Sequence, residues 1–287
     1  ADEGEASLSD SRAIDIATRL AVQTMRGVSS HEIEPPLWEV DPNLRPEGKQ
    51  GALVRTLDSH VAYYERWAKS WEFQALLKAR PLAGDAALGD DYVAALQPKV
   101  WTSAARESFV DSVQRMRERV TEFIPADEVP LQIKLGPGGI RDIEFTVQLL
   151  QLVHGLTDDG IRQRGTLGAI GRAEASAFAH HYRVLRVLEH RTQLTRLERT
   201  HLMPATADGL RALARASKLA DTGPGVWELW ESVKREVREI HVRLFYRPLL
   251  SAVAALPEGE RELSATEAAD RLAAIGFADP QGALRHI

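Results

Sequence analysis

The chain has 287 residues, 44% of them hydrophobic and 27% charged, which suits one large globular core or two ordinary ones and excludes a low-complexity polypeptide. A net charge of −5 leaves no basic footprint for nucleic acid, and the absence of cysteine excludes disulfides and thiolate metal sites, as suits a cytoplasmic protein. Charges interrupt every apolar run short of the roughly 18 residues of a membrane span, and the opening ADEGEASLSDSR has no basic or apolar segment of a secretory signal. The missing initiator Met points to a processed or excised chain.

In chain order, Ile14, Ala17, Leu20, Ala21 and Met25 fall near helical spacing behind Ser9 or Asp10 as a cap, and this helix is expected to fail around residues 27–30. Past Pro35-Pro36, Leu37-Trp38-Glu39-Val40-Asp41 alternates roughly like a strand. Pro42 biases Asp41 toward extended geometry, Arg45-Pro46-Glu47-Gly48 reads as a turn, and residues 52–55 are the expected partner strand of a long-looped hairpin. A helix capped by Asp58 is expected to residue 67, a second over 71–78 before Pro81, and a longer one over about 103–123. Residues 131–135 read as one more strand, ended by Gly136-Pro137-Gly138-Gly139. A strongly apolar helix follows from about Ile140 to His154, then further helices near 166–171, 173–200, 206–219, 224–254 and 264–275. The pattern is α+β and mostly helical, with a few strands before residue 136 and an all-helical region after it.

Glu39, Asp41, Arg45 and Gly48 form the first candidate site. Two acids one residue apart on a strand share a face, so both are placed to reach a metal. Hard oxygens suit Mg²⁺, which binds one or two carboxylates plus substrate phosphates, and Arg45 offers a planar donor fork to a phosphate. A solvated strand followed by a turn would carry the same residues. The second candidate runs from Lys134 to Phe145. A glycine turn leading into a helix N-terminus offers backbone N–H groups to an anion, with Lys134 and Arg141 beside it. The spacing is not that of a phosphate loop. Asp142 and Glu144 match the helix dipole but repel a phosphate; if an anion binds, they are expected to hold a cation or an arginine.

Ile143, Val147, Leu150 and Val153, with Phe145, Leu149 and Leu152 alongside, describe a buried helix. Trp67, Lys69, Trp71, Glu72, Lys78 and Arg80 mix aromatic rings with charges, as a nucleotide clamp needs, or else anchor helices while their charges face water. His180, His181, His190 and His201 lack metal-ligand spacing and fit a solvated or interhelical face.

The runs WEVDPNLRPEG (38–48), GALVRTLDSHVAYYERWAKSWEFQALLKARPLAGD (51–85) and KLGPGGIRDIEFTVQLLQLVHG (134–155) closely resemble the bifunctional glutamine synthetase adenylyltransferase/deadenylylase family. LEHRTQLTRLERTHLMP (188–204) and LFYRPLLSAV (244–253) fit the same family, so the resemblance covers nearly all of the chain from about residue 37. It implies a nucleotidyltransferase domain of the DNA polymerase β-like fold, partial over residues 1–136, followed by an all-α domain and the start of a connector over 137–287. Such proteins regulate glutamine synthetase in nitrogen metabolism with two units. One adenylylates a tyrosine from ATP, and the other removes the AMP by phosphorolysis to give ADP, both with Mg²⁺.

Carried over by this likeness, Asp41 matches the third metal-binding carboxylate, with Glu39 beside it. Arg45 and Gly48 shape the phosphate side of the cleft, and Lys78 and Arg80 join them as nucleotide-binding candidates. Lys134, Gly138, Gly139 and Arg141 match the second motif and would bind nucleotide or phosphate, while Asp142 and Glu144 support the cleft. The family's Gly-Ser and Asp-x-Asp segment has no match before Asp41, and Gly84-Asp85 and Asp90-Asp91 come too late. The chain alone is therefore expected to be inactive or nearly so. GGIRDIEF and the run from Ile275 to Pro280 point to the AMP-removing half. The alternatives are the adenylylating half, a helical docking module for glutamine synthetase or the PII signalling protein carried by residues 156–287, and, less well matched, a uridylyltransferase of the same fold. Glutamine synthetase, PII, ATP or ADP and phosphate are the expected partners; nucleic acid and membrane are not.

Overall fold

A computed structural model describes residues 9–29, 39–106, 109–171 and 177–246. Every regular element among them is helical, and the chain divides into two compact units at Val100/Trp101. Residues 247–254, the helix expected over 264–275 and the run from Ile275 to Pro280 lie outside the described residues, as do Leu37 and Trp38.

In the first unit, α1 (Asp10–Ser29) buries no residue fully. The hairpin expected between residues 37–41 and 52–55 is absent among the described residues. In the connection between those arms the Arg45 guanidinium takes the carbonyls of Gly51 (Nε, 2.9 Å), Pro42 (Nη1, 2.9 Å) and Lys49 (Nη2, 3.2 Å), which closes residues 42–51 into a loop. Glu47 (φ 62°) and Gly48 (φ 57°) then turn the chain into a short 3₁₀ segment, Gly48–Gln50. The loop closes tightly enough that a Cβ on Gly51 would stand 1.9 Å from the Pro46 carbonyl oxygen.

Thr56, not Asp58, caps α2 (Leu57–Arg66), accepting from Ser59 N at 3.2 Å; Asp58 sits inside the first turn, where its charge suits the dipole. The Glu72 carboxylate caps α3 (Ser70–Leu76) by accepting from Lys69 N at 2.7 Å. A further helix, α4 (Ala86–Thr102), was hidden in the sequence by Gly84, Gly89 and Pro98. Asp85 opens it by accepting from Leu88 N (3.0 Å), and Gly89 lies so close to Pro81 that a Cβ would come within 2.8 Å of its ring. Tyr63, Tyr64, Phe73, Leu77 and Leu96 form the core of this unit, with Tyr64 edge-on to Phe73 and stacked on His60.

In the second unit, α5 (Phe109–Glu122), α6 (Ile140–His154), α7 (Thr166–Ile170), α8 (Ala177–Arg196), α9 (Ala207–Ser217) and α10 (Gly223–His241) surround one core that includes Ile133, Ile143, Val147, Leu185, Leu188 and Trp230. A π turn, Val242–Tyr246, continues α10. Thr206 and Thr222 cap α9 and α10 by accepting from Gly209 N and Gly225 N. As the apolar pattern predicts, α6 is buried on most sides, although Val153 is exposed. The strand expected over 131–135 is corrected to a single antiparallel bridge, Gln132 to Leu202, made by Ile133 N on His201 O and Met203 N on Leu131 O (both 2.8 Å). Beyond it, the Ile133 and Lys134 carbonyls accept from Ile140 N and Arg141 N, so the start of α6 takes the place of a partner strand. No helix among the described residues is long and apolar enough to cross a membrane.

Gly138 is the tightest point of the second unit. Its φ is +76°, and a Cβ would stand 2.2 Å from the Lys234 carbonyl oxygen on α10. Gly138→Ala is expected to cost about 3 kcal/mol in urea unfolding, combining left-handed strain with displacement of α10. An unchanged unfolding midpoint would contradict this packing.

Candidate functional site

In the first unit, Asp41 is exposed and its Oδ1 accepts from Asn43 N at 2.9 Å, a local Asx turn. Glu39 is exposed two residues earlier, but without a strand the shared-face argument lapses. Arg45 buckles its own loop as described. Glu47 completes the loop's attachment, pairing with Arg55 (2.5 Å) and donating its N–H to Tyr63 Oη (3.3 Å). Tyr63 in turn donates to the buried Glu72 carboxylate at 2.9 Å. Of the aromatic and charged cluster, Glu72 and Lys69 thus serve α3, Trp67 is 73% exposed, and Lys78 and Arg80 lie on the surface.

No group of three metal-ligating side chains occurs among the described residues. Asp41 offers one carboxylate to a cation, and one of its oxygens already serves the turn. The described residues therefore do not by themselves fit a Mg²⁺ site, which needs several oxygen ligands in octahedral array.

In the second unit, the glycine turn spends its N–H groups internally. Gly139 N donates to Gly136 O, Ile140 N to Ile133 O, Arg141 N to Lys134 O and Asp142 N to Gly139 O, all at 2.9–3.1 Å. Gly138 N donates to Asp142 Oδ2 at 2.7 Å. Gly138 and Gly139 are thereby committed to the shape of the turn, and the donors that a helix N-terminus offers an anion are taken.

Asp142 is fully buried, and the residue that holds it is one the motif did not reveal. Arg117 on α5 donates through Nε to Asp142 Oδ1 at 2.8 Å, with Nη2 2.5 Å from the same oxygen. The same guanidinium reaches Thr121 Oγ1 through Nη1 and the Leu135 carbonyl through Nη2. Arg238 (3.7 Å) and His241 (3.5 Å) approach from α10. A buried acid demands such a partner, but the sequence offers Arg106, Arg115, Arg117 and Arg119 nearby and no means of choosing.

Burial opposes the charge of Asp142, yet His241, Arg117, Arg238 and the Gly138 N–H outweigh it, so the carboxyl lies below its ordinary pKa. Burial also pushes His241 down to about 4, against the pull of Asp142. With the imidazole neutral above that pH, Arg117 carries most of the offset near neutrality. His241 Nδ1 lies 2.7 Å from Thr146 Oγ1, and its ring stacks on Phe245. Toward the other side of α6, Arg141 pairs with Glu144 (2.9 Å) and Lys134 approaches the buried Glu189 (3.5 Å).

Two outcomes are expected. Arg117→Leu strands a buried carboxylate and costs about 3–5 kcal/mol, whereas adding Asp142→Leu recovers most of that loss; equal losses in the single and double variants, read by urea unfolding, would contradict the pairing. Separately, the unfolded chain protonates His241 near 6.5 while the fold keeps it neutral down to about 4, so protons favour the unfolded state and stability declines as pH falls through that window. His241→Asn should remove about 2 kcal/mol of the decline between pH 7 and pH 5. An undiminished slope would count against a buried neutral imidazole.

A family model for glutamate-ammonia ligase adenylyltransferase matches residues 1–94, and one for GlnD PII-uridylyltransferase matches residues 107–245. The bifunctional glutamine synthetase adenylyltransferase/adenylyl-removing enzyme of Leifsonia xyli subsp. xyli is 61% identical over 99% of this chain and 30% of its own length. Those of Streptomyces coelicolor (54%, over 97% and 29%) and Mycolicibacterium smegmatis (51%, over 94% and 28%) align similarly. The chain thus spans about three-tenths of the length of the curated relatives it matches. It belongs to the family of bifunctional glutamine synthetase adenylyltransferase/adenylyl-removing enzymes.

Proposed function

We propose that the chain forms part of a nucleotidyltransferase that acts on glutamine synthetase, in the half that removes AMP from an adenylylated tyrosine. In this reaction inorganic phosphate attacks the adenylyl phosphorus, the bond to the tyrosine oxygen breaks, the phenol regains a proton and ADP leaves. The 61% identity across 99% of the chain carries the nucleotidyltransferase part of this reading, and the GGIRDIEF run supports the choice of half. The polymerase β-like fold for residues 1–136 belongs to the same reading.

Asp41 would supply one carboxylate to a Mg²⁺, which would offset negative charge on the phosphoryl oxygens; the described residues hold no group of three metal-ligating side chains to complete such a site. Arg45 sets the shape of the loop beside Asp41 by holding three carbonyls. Lys134 and Arg141 are the basic groups of the second motif left at the surface of their unit for a phosphate, each partly exposed. ATP or ADP, phosphate and PII are its further proposed partners, and the cytoplasm its proposed location.

The match of residues 107–245 to the PII-uridylyltransferase model supports the alternative of a uridylyltransferase of the same fold for that segment, while the all-helical make-up of the second unit suits another reading. On it, the second unit is a helical docking module for glutamine synthetase or PII with no chemistry of its own.

The chain alone, given adenylylated glutamine synthetase, phosphate and Mg²⁺, is expected to release no ADP. Grafted in place of the matching segment of the Leifsonia enzyme, it should support release, and Asp41→Asn in that chimera should lower the rate at least about a hundredfold. ADP release unaffected by Asp41→Asn would contradict the reading. Loss of AMP incorporation from ATP with release intact would reassign the chain to the adenylylating half.

A further inference from the structure

The most heavily committed acid outside the Asp142 cluster is Glu189, on α8. Its side chain is 2% exposed, yet it carries no role in the motif reading. Three basic side chains from three places in the chain converge on it. Arg186 Nη1, one turn earlier on α8, lies 2.5 Å from Oε2; His201 Nδ1, beside the bridge to residues 131–135, lies 2.9 Å from Oε1; Lys134 Nζ lies 3.5 Å from Oε1. Burial works to raise the Glu189 pKa, but His201, Lys134 and Arg186 prevail and it falls below the ordinary value, as a permanent anion requires.

The carboxylate is sealed in, while the bases around it are not: Lys134 and His201 keep 23% and Arg186 33% of their side-chain surface. One buried negative charge therefore draws two permanent positive charges, Lys134 and Arg186, to either of its oxygens and leaves one in excess at the surface. Arg186 is held from the other side by His190 Nε2, 2.8 Å from Nη2. The neighbouring Glu144 is matched by Arg141 and adds no net charge. A planar donor fork beside a point cation is the combination that receives phosphate oxygens.

We propose that Glu189 is a positioning residue that holds Lys134 and Arg186 side by side as a two-cation receptor for a phosphate group. The proposal rests on the reading of Lys134 as a phosphate-binding residue and extends it to Arg186, which lies 52 positions further on in sequence, and to the carboxylate that aligns the two. The ligand class is an inorganic phosphate or a phosphate ester of a nucleotide.

The sign of one substitution separates positioning from bulk charge. Glu189→Gln keeps the shape and removes a negative charge, so charge alone would tighten phosphate binding, whereas loss of alignment weakens it. Titration of inorganic phosphate into the 287-residue chain, followed by calorimetry or phosphorus NMR, is expected to show saturable binding. Lys134→Gln and Arg186→Gln should each weaken it about tenfold, and Glu189→Gln should weaken it by a similar factor in protein that retains native circular dichroism. Tighter or unchanged binding in Glu189→Gln would overturn the proposal. Should that variant fail to fold, Arg186→Gln, altered at the surface, decides alone: unchanged affinity overturns the receptor. Absence of phosphate binding by the native chain overturns it as well, and leaves the proposed activity standing if the chimera still releases ADP. Phosphate binding with no ADP release by the chimera would instead overturn the activity and keep the receptor.

Discussion

A carboxylate taken fully out of water must be matched by charge and hydrogen bonds or it will not stay ionised. Asp142 meets that demand with Arg117 and with the Gly138 N–H, and the arrangement of the second unit around α6 follows from it. Arg117 ties α5 to the first turn of α6 and to the Leu135 and Gly136 carbonyls that enter the glycine turn. Gly138 can turn toward Asp142 only because it lacks a Cβ, which also lets α10 approach within contact of its backbone. His241 and Arg238 close the cluster from α10. Removing Arg117 leaves the Asp142 carboxylate buried without its principal partner.

The first motif is built on the same logic with the signs reversed. There the arginine lies inside the loop, and its guanidinium holds three of the loop's own carbonyls. In each motif one charged side chain is spent on holding backbone in place, Arg45 in the first and Asp142 in the second. The groups left for a ligand are few: Asp41 in one unit, Lys134 and Arg141 in the other. Each is presented by backbone held in place through side-chain hydrogen bonds, which favours a pre-organised site. Glu189 extends the principle to the surface, where a buried acid aligns cations that remain partly open.

The helices of the second unit were legible because apolar periodicity and threonine or glycine punctuation agree there. The apolar face of α6 is the clearest case, and α7 and α9 appear where their patterns place them. The strands were misread because residues 37–41 and 131–135 alternate like strands, whereas the described residues 39–41 join no ladder and the Ile133 and Lys134 carbonyls go to the start of α6. Local pattern carries no information on which long-range donor will claim a carbonyl. The same gap hid Arg117, 25 residues from Asp142, and Glu189, 55 from Lys134. It also explains why a glycine turn before a helix reads as an anion site until its N–H groups are traced to their partners. Helix α4 was lost for the opposite reason, its glycine and proline being tolerated by close packing on Pro81 and by the Asp85 cap.

That the glycine turn is a strut locked by Asp142, with the N–H groups from Gly138 to Asp142 all committed, is the claim on which the rest depends. Amide hydrogen exchange at Gly138 tests it most directly. An N–H donated to a fully buried carboxylate should exchange only through global unfolding of its unit, so its protection should equal that of the α6 core amides and disappear in Asp142→Leu. Rapid exchange at Gly138 in the native protein, at the rate of an open loop, would contradict the account.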